Sequence, residues 1–96
     1  MKENAAECPI TKVALLLSDT WTMLIMHYLV EKPQRFCDLE RSLGGISTRT
    51  LTLKLQKLTE EGLVAKTDAG LYEATKRGKG LRIIENAMRK YEATYL

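Results

Sequence analysis

The segment Gly45–Glu61 decides the fold of this 96-residue chain; it reads Gly-Ile-Ser-Thr-Arg-Thr-Leu-Thr-Leu-Lys-Leu-Gln-Lys-Leu-Thr-Glu-Glu. Ser47 is a natural N-cap, because its hydroxyl can accept a hydrogen bond from a free backbone N–H of the first helical turn. Gly62 follows the segment and tolerates the positive φ that closes a helix. One face is apolar, because leucine recurs at steps of four and three residues (Leu51, Leu55 and Leu58). We therefore predict an amphipathic helix over about residues 47–61.

The other side of this helix carries a guanidinium, an amide, hydroxyls and ammonium groups, which are the donors that reach phosphates and base edges. Arg49 and Gln56 are long and two turns apart, and we predict that both contact bases. Leu53 either meets a thymine methyl or is half covered by neighbouring side chains. The predicted phosphate or sugar contacts are Ser47, Thr48, Thr50, Thr52, Lys54 and Lys57 in the helix and Arg35, Lys66, Lys76 and Arg77 outside it. A solvated face without a ligand is the alternative.

The charge of the chain is concentrated in its middle. The formal net charge is +3, but residues 32–82 hold eleven Lys or Arg against six Asp or Glu, so the two flanks together are at −2. A basic segment suits a polyanionic partner. Two cysteines and one histidine are too few for a four-ligand structural zinc site from one chain. We expect no metal and no cofactor.

Nothing in the sequence predicts a membrane segment. No apolar run approaches the ~20 residues of a membrane span, and the polar start Met1–Glu7 lacks the apolar region of a signal peptide. We expect these first residues to be frayed. The predicted compartment is a reducing cytoplasm, with both thiols free.

The remaining segments predict four further helices, a short extended piece and a hairpin around the central helix. The first helix opens at Cys8-Pro9, a second runs from Trp21 to about Val30, and a short third one from about Cys37 to Leu43. Arg35-Phe36 is predicted to be extended, residues 63–67 and 71–74 form a hairpin, and Thr75 caps a last helix. The expected core residues are Trp21, Leu24, Phe36, Leu51 and Leu55. The chain is thus predicted to be mainly α with a small β-hairpin: one winged helix-turn-helix domain over residues 1–96, in the order helix, helix, helix, helix, strand, strand, helix.

The last helix carries an apolar seam at steps of three, four, three and four residues, namely Leu81, Ile84, Met88, Tyr91 and Tyr95. The two tyrosines lie beyond what so small a domain can cover, so we predict burial against a second subunit. Gly78 and Gly80 are expected to weaken the start of this helix by roughly 1 kcal/mol each relative to alanine.

Six motifs in register resemble the HxlR-type transcriptional regulators, a MarR-like winged-helix family of bacteria and archaea. They are Cys8-Pro9, Trp21-Thr22-Met23-Leu24-Ile25, Arg35-Phe36-Cys37-Asp38-Leu39, Gly45-Ile46-Ser47-Thr48-Arg49-Thr50-Leu51, Gly62-Leu63-Val64 and Tyr72-Glu73-Ala74-Thr75-Lys76-Arg77-Gly78. The resemblance implies a homodimer held by the first and last helices, with Ile10, Val13 and Leu17 on the first. It also implies that paired recognition helices enter successive major grooves of double-stranded DNA. The chain departs from the family in its short wing, which lacks a basic tip, and in Leu53, which stands at a commonly polar position.

The resemblance further implies that an N-terminal cysteine, here Cys8, responds to oxidants or electrophiles. A helix N-terminus lowers a thiol pKa and favours the thiolate, whereas the alternative is a small buried apolar residue. We expect Cys37 to be structural, although a bridge from Cys8 to Cys37 of a second copy stays open. His27 is predicted to be packed or hydrogen-bonded rather than a metal ligand.

The resulting prediction is a dimeric, sequence-specific DNA-binding regulator whose effector is not indicated. The alternative is a winged-helix protein-interaction module, which the short wing favours. An enzyme is the least supported class, because no carboxylate pair, His/Cys dyad or phosphate loop stands at a usable spacing.

Overall fold

The structure is a computed structural model that describes residues 7–96, so the predicted frayed start lies outside the described residues except for Glu7. The elements are α1 (Pro9–Leu16), α2 (Thr20–Glu31), α3 (Phe36–Leu43), α4 (Thr48–Glu60), β1 (Val64–Lys66), β2 (Tyr72–Ala74), α5 (Lys76–Lys79) and α6 (Arg82–Tyr95). This order confirms the predicted mainly α fold with a small hairpin and a winged helix-turn-helix arrangement.

The core forms around α2, because that helix is apolar on nearly all sides. Its residues Ile25, Met26 and Leu29 are fully buried, and the leucines of α4 pack into the same cluster. Trp21 and Phe36 pack against this cluster and stay partly exposed. The expectation that Leu24 is a core residue is wrong, since its side chain is 36% exposed. A helix that is apolar all round has more apolar faces than this small core can cover.

The hairpin lies directly behind α4. β1 and β2 pair antiparallel in the register Val64↔Ala74 and Lys66↔Tyr72. Gln34 adds an isolated bridge to Tyr72, with its N–H 2.9 Å from the Tyr72 carbonyl oxygen. The predicted extended piece is therefore shifted to Gln34, and Phe36 already begins α3. The bridge ties the approach to α3 to the wing.

The helical segment after Thr75 is divided, so the prediction of one continuous helix is wrong. Thr75 does act as the cap, accepting from the Gly78 N–H at 3.1 Å, but α5 is a single turn that ends at Gly80. The junction to α6 is tightened by bonds from the N–H of Leu81 to the Gly78 carbonyl and from the N–H of Ile84 to the Leu81 carbonyl. Leu81 enters the core at 6% exposed. It is therefore unavailable to the interface for which it was predicted.

Within residues 7–96, no helix alone is both long and apolar enough to cross a membrane. The pair of α1 and α2 meets the length and composition criteria together, but the chain bends by 82° between them. The buried residues of α2 belong to the core of the domain.

Candidate nucleic-acid interface

Ser47 begins α4 as the sequence predicts. Its hydroxyl oxygen accepts from the Thr50 N–H at 3.0 Å, and its hydroxyl donates to Thr50 Oγ1 at 2.8 Å. Gly62 ends the helix at φ +77°. The cap already uses the Ser47 hydroxyl, so a substitution at Ser47 would change the stability of the helix as well as any phosphate contact.

Two polar contacts join the first half of α4 to other helices. The Thr48 hydroxyl donates to Glu40 Oε2 of α3 at 2.6 Å. The Lys54 ammonium forms an ion pair with Asp19, whose carboxylate is also the N-cap of α2 and accepts from the Thr22 N–H at 2.8 Å. Lys54, predicted to neutralise phosphate, is thus committed to an intramolecular pair. These contacts orient α4 relative to α2 and α3.

Arg77 has a comparable structural role at the other end of α4. Its guanidinium donates to the Glu61 carbonyl oxygen at 2.7 Å, which satisfies a free carbonyl at the helix C-terminus. Arg77 was also predicted to contact phosphate, and the structure instead places its head group on the protein. Lys76, its neighbour, is exposed.

The Asp19 carboxyl has a pKa below its ordinary value of 3.8. Partial burial by itself raises the pKa, but the hydrogen bonds from Lys54 and from the Thr22 N–H, with the Lys54 charge, outweigh it. The ionised carboxylate is therefore better stabilised in the folded than in the unfolded chain. Its contribution to stability is present above pH 3.8 and is lost as the pH falls through the lower folded-state pKa.

Replacing Asp19 with asparagine removes the charge and keeps a good N-cap. We expect Asp19→Asn to lower the free energy of unfolding by about 1 kcal/mol at neutral pH, because one charge-assisted hydrogen bond is lost at a partly exposed site. The difference should vanish in acid, where Asp19 of the parent protein is protonated and therefore uncharged like the asparagine that replaces it. Urea unfolding at several pH values measures it. Lys54→Met in the Asp19→Asn background is the control and should add little; a difference that persists in acid would contradict the assignment.

The outer face of α4 is open to solvent. Arg49, Gln56 and Lys57 are exposed, and Leu53 between them is 53% exposed, so about half of its side chain is covered. Thr52 shares this face, with its hydroxyl donating to the Thr48 carbonyl oxygen at 2.8 Å. The described residues therefore present one continuous surface of long polar side chains around a single apolar one.

A cleft between α4 and the hairpin extends this surface. It is lined by Thr52, Gln56, Lys66 and Tyr72, among others. The Lys66 ammonium lies 5.4 Å from the centre of the Tyr72 ring. Lys66 was predicted from the sequence as a contact and Tyr72 was not, although the cross-strand register of a predicted hairpin could have paired the two.

Arg35 is not brought to this cleft. It is exposed at the N-cap of α3 and lines a separate groove with Lys32, Asp38 and Arg41, between α2 and α3. Of the predicted contacts, the structure thus gathers Thr52, Gln56 and Lys66 around one cleft and leaves Arg35 in a separate groove.

Cys8 occupies the N-cap position of α1 and is partly exposed. Backbone N–H groups of Thr11 and Ile10 hold the pKa of its thiol below the ordinary value of 9.0, because they stabilise the thiolate; partial burial opposes them and the Thr11 side chain assists. Cys37, expected to be structural, is exposed on α3.

The lowered pKa of Cys8 predicts faster alkylation. In a Cys37→Ser protein, we expect the rate of reaction with iodoacetamide to rise with pH around a lower midpoint when the chain is folded than when it is unfolded in urea. Rates measured between pH 6 and 10 give both midpoints. A folded midpoint equal to or above the unfolded one would show that the N-cap position does not activate the thiol.

His27 is hydrogen-bonded, as predicted. Its Nδ1 lies 2.9 Å from Glu85 Oε1 on α6. Among the described residues, no group of three or more His, Cys, Asp or Glu side chains could hold a metal ion.

The sequence model of the HxlR-like helix-turn-helix family matches residues 16–96. The chain belongs to this family. Among its HxlR-like relatives, the helix-turn-helix-type regulator sll1512 of Synechocystis is 32% identical over 100 residues, covering 98% of this chain and 74% of the relative. YtfH of Escherichia coli is 37% identical over 60 residues, which cover 62% of this chain and about half, 48%, of YtfH.

The fold is also similar to that of transcriptional regulators whose structures have been solved. The quinone-bound structure of YodB from B. subtilis superposes with a TM-score of 0.84 at 26% identity, covering 92% of this HxlR-like chain and 99% of YodB. The relatives are transcriptional regulators, so the predicted family and the predicted functional class are both confirmed.

Proposed function

We propose that this HxlR-like regulator binds double-stranded DNA as a homodimer, with α4 entering the major groove, and that it works in the cytoplasm without enzymatic activity. The observation that carries the proposal is the division of α4 into two faces. Leu51, Leu55 and Leu58 are buried, while Arg49 and Gln56 are held outward by a capped helix anchored at both ends. A rigid helix with exposed donors is what major-groove readout requires.

The proposed roles on this surface follow the chemistry of each side chain. Arg49 and Gln56 suit base edges, and Leu53 suits a thymine methyl because it is exposed and apolar. Thr50, Thr52 and Lys57 suit phosphate or sugar, with Lys66 at the hairpin side of the cleft. Ser47 and Thr48 offer their backbone N–H groups at the positive end of the helix dipole, since their hydroxyls are bonded within the protein.

DNA binding is tested by fluorescence anisotropy with a labelled genomic duplex. A duplex of scrambled sequence is the control. We expect tighter binding to the genomic duplex and an affinity that falls steeply with salt for both, because phosphate contacts release counterions. Absence of salt-dependent binding to either duplex would refute the proposal.

Exposed apolar side chains on the two terminal helices support the homodimer. Ile10 and Val13 are exposed on α1, where no residue is buried. On α6, Met88, Tyr91 and Tyr95 are exposed, Tyr95 at 72%. The two tyrosine rings contact each other, with their centres 5.1 Å apart and their planes tilted by 42°. A patch of this kind marks an interaction site. Leu17 and Ile84 pack partly against the core and can contribute only their remaining surface.

A charge in this patch should disrupt the dimer. We expect Tyr91→Glu to weaken self-association by at least about 2 kcal/mol, roughly thirtyfold in Kd. The reason is that a carboxylate would replace an aromatic side chain that the proposed dimer interface buries. Sedimentation equilibrium measures the change. Lys90→Glu, on the neighbouring exposed position, is the control; equal effects of both substitutions, or none, would contradict the proposed interface.

We further propose that Cys8 is the site at which oxidants or electrophiles act. The lowered pKa of its thiol and its accessible position support this role, as does the quinone-bound form of the similar regulator YodB. If the proposal holds, mild peroxide should change DNA binding of the native protein and leave a Cys8→Ser protein unchanged. Non-reducing gels would show whether Cys8 forms a bridge to Cys37 of a second copy.

The alternative function is a winged-helix module that binds a protein instead of DNA. It is favoured by the wing, whose strands are three residues each and whose turn contains Asp68, Ala69 and Gly70 without a basic side chain. Recovery of one stoichiometric protein partner together with no shift of any duplex would favour this alternative.

A further inference from the structure

The attachment of α6 to the rest of the domain is short and largely polar. Leu81 is buried where the helix begins and Ile84 packs partly against the core, but every residue from Asn86 to Leu96 is exposed. Beyond Ile84, α6 reaches α2 through Glu85, which is 8% exposed and is the only buried residue within the helix. Beyond Ile84, the described contact that holds α6 against α2 is therefore the one made by Glu85.

Glu85 meets His27 of α2 with Oε1 and Nδ1 2.9 Å apart, and Arg89 of α6 lies 3.6 Å from the same oxygen. One turn earlier, Arg82 donates to the Val30 carbonyl oxygen at 3.0 Å and so holds the C-terminal end of α2. Past this junction, α2 and α6 diverge around an open cavity of about 540 Å³, lined by Met23, Leu24, Met88 and Leu96. The apolar side chains of Leu24, Met88 and Leu96 on that side are all exposed.

We propose that the Glu85–His27 pair is the positioning contact that sets the direction of α6 relative to the recognition helix, and hence the half-site spacing that the dimer accepts. The proposal rests on the proposed function, namely a DNA-binding dimer joined through α6. Apolar contacts are non-directional, whereas a hydrogen bond is directional. An orientation that separates the pair loses this hydrogen bond and leaves the Glu85 carboxylate with only its longer contact to Arg89 of the same helix. The pair thus selects a single orientation.

A small change in the direction of α6 at this contact moves the far end of the helix by several ångströms. From Glu85 to the end of α6 the helix is about 15 Å long, so a tilt of about 10° moves its end by about 3 Å. That displacement is close to the ~3.4 Å rise of one DNA base pair. In a two-fold dimer the shift is applied twice, so a small change of direction alters the register between the recognition helices.

Two readouts test the proposal on Glu85→Ala, with Glu85→Gln as the conservative variant that keeps a hydrogen bond to His27. Glu92→Ala, on an exposed position of the same helix, is the matched control. The first readout is the distance between nitroxides at Glu60→Cys and Lys90→Cys, in a Cys8→Ser, Cys37→Ser background diluted with unlabelled protein. We expect a single narrow distribution for the parent, Glu85→Gln and Glu92→Ala proteins and a broad one for Glu85→Ala. An equally narrow distribution for Glu85→Ala would overturn the positioning role.

The second readout is the affinity for duplexes whose half-sites are one base pair closer or farther apart. We expect Glu85→Ala to lose roughly tenfold of the preference for the best spacing, the factor associated with one hydrogen bond to a charged group, while its dimer Kd stays unchanged. A full preference in Glu85→Ala would overturn the spacing claim. If the parent binds no duplex, the proposed function and the spacing claim both fail, and the distance distribution still decides the positioning role. Thermal unfolding confirms that each variant folds. If Glu85→Ala does not fold, His27→Ala removes the same pair from the α2 side.

Discussion

Replacing Gly78 with alanine should destabilise the protein by about 3 kcal/mol or more. A Cβ at this position would overlap the carbonyl oxygen of Leu63 and approach Met26 Cε to 2.9 Å. The Leu63 oxygen is backbone and already accepts the Thr75 N–H at 3.0 Å, so it cannot move aside without disrupting the hairpin. Overpacking against backbone exceeds the ~1 kcal/mol by which alanine favours a helix over glycine. Since domains of this size are marginally stable, the loss should be obvious in urea unfolding.

Gly80→Ala is the matched control, because it adds the same methyl group two residues later. Its Cβ would lie 3.2 Å from the Arg77 carbonyl oxygen and has no other close neighbour. We expect a change within about 1 kcal/mol in either direction. A Gly78→Ala protein as stable as the parent would show that α5 does not approach the hairpin as closely as the structure indicates.

The second large effect is expected at Arg49. Arg49→Ala should reduce the preference for the genomic over the scrambled duplex by ~1–3 kcal/mol, since a bidentate contact to a base edge would be lost. Arg49→Lys should lose most of the same preference, because an ammonium keeps the charge and lacks the planar fork of donors. Paired anisotropy titrations on the two duplexes measure both.

Lys57→Ala is the control for Arg49, since Lys57 is exposed on the same helix and is proposed to contact phosphate. It should weaken both duplexes alike and lower the slope of log affinity against log salt by about 1. If Arg49→Ala behaved like Lys57→Ala, Arg49 would be a phosphate contact and base readout would have to come from Gln56 or Leu53.

The order of the helices and strands could be predicted, because it depends on interactions between residues that are close in the sequence. Ser47, Gly62 and Thr75 act through their own backbone neighbours, so caps and stops could be located from residue type alone. The break before α6 could not, because it depends on Gly78 passing the Leu63 carbonyl and on Leu81 entering the core. Gly78 looked like a weak point of a helix and is instead a position where only glycine fits.

The exposed face of α4 was also predictable, because helical periodicity separates its leucines from Arg49 and Gln56. Which basic residues remain available to contact DNA could not be predicted. In the sequence, Lys54 and Arg77 cannot be distinguished from solvent-exposed basic residues. Only the tertiary structure brings Lys54 to Asp19 and Arg77 to the Glu61 carbonyl. The pairing of Glu85 with His27 could not be predicted either, since the two residues are 58 positions apart in the sequence.

Hydroxyl-radical footprinting of the genomic duplex is the decisive test of a DNA-binding dimer, because it reports both DNA contact and the pairing of two recognition helices. We predict two protected segments, one in each half of a pseudo-palindrome, with centres about 10 base pairs or ~34 Å apart. Tyr91→Glu should weaken both protections together. A single protected segment, or a duplex cleaved uniformly at protein concentrations that saturate binding, would contradict a dimer that reads DNA through α4.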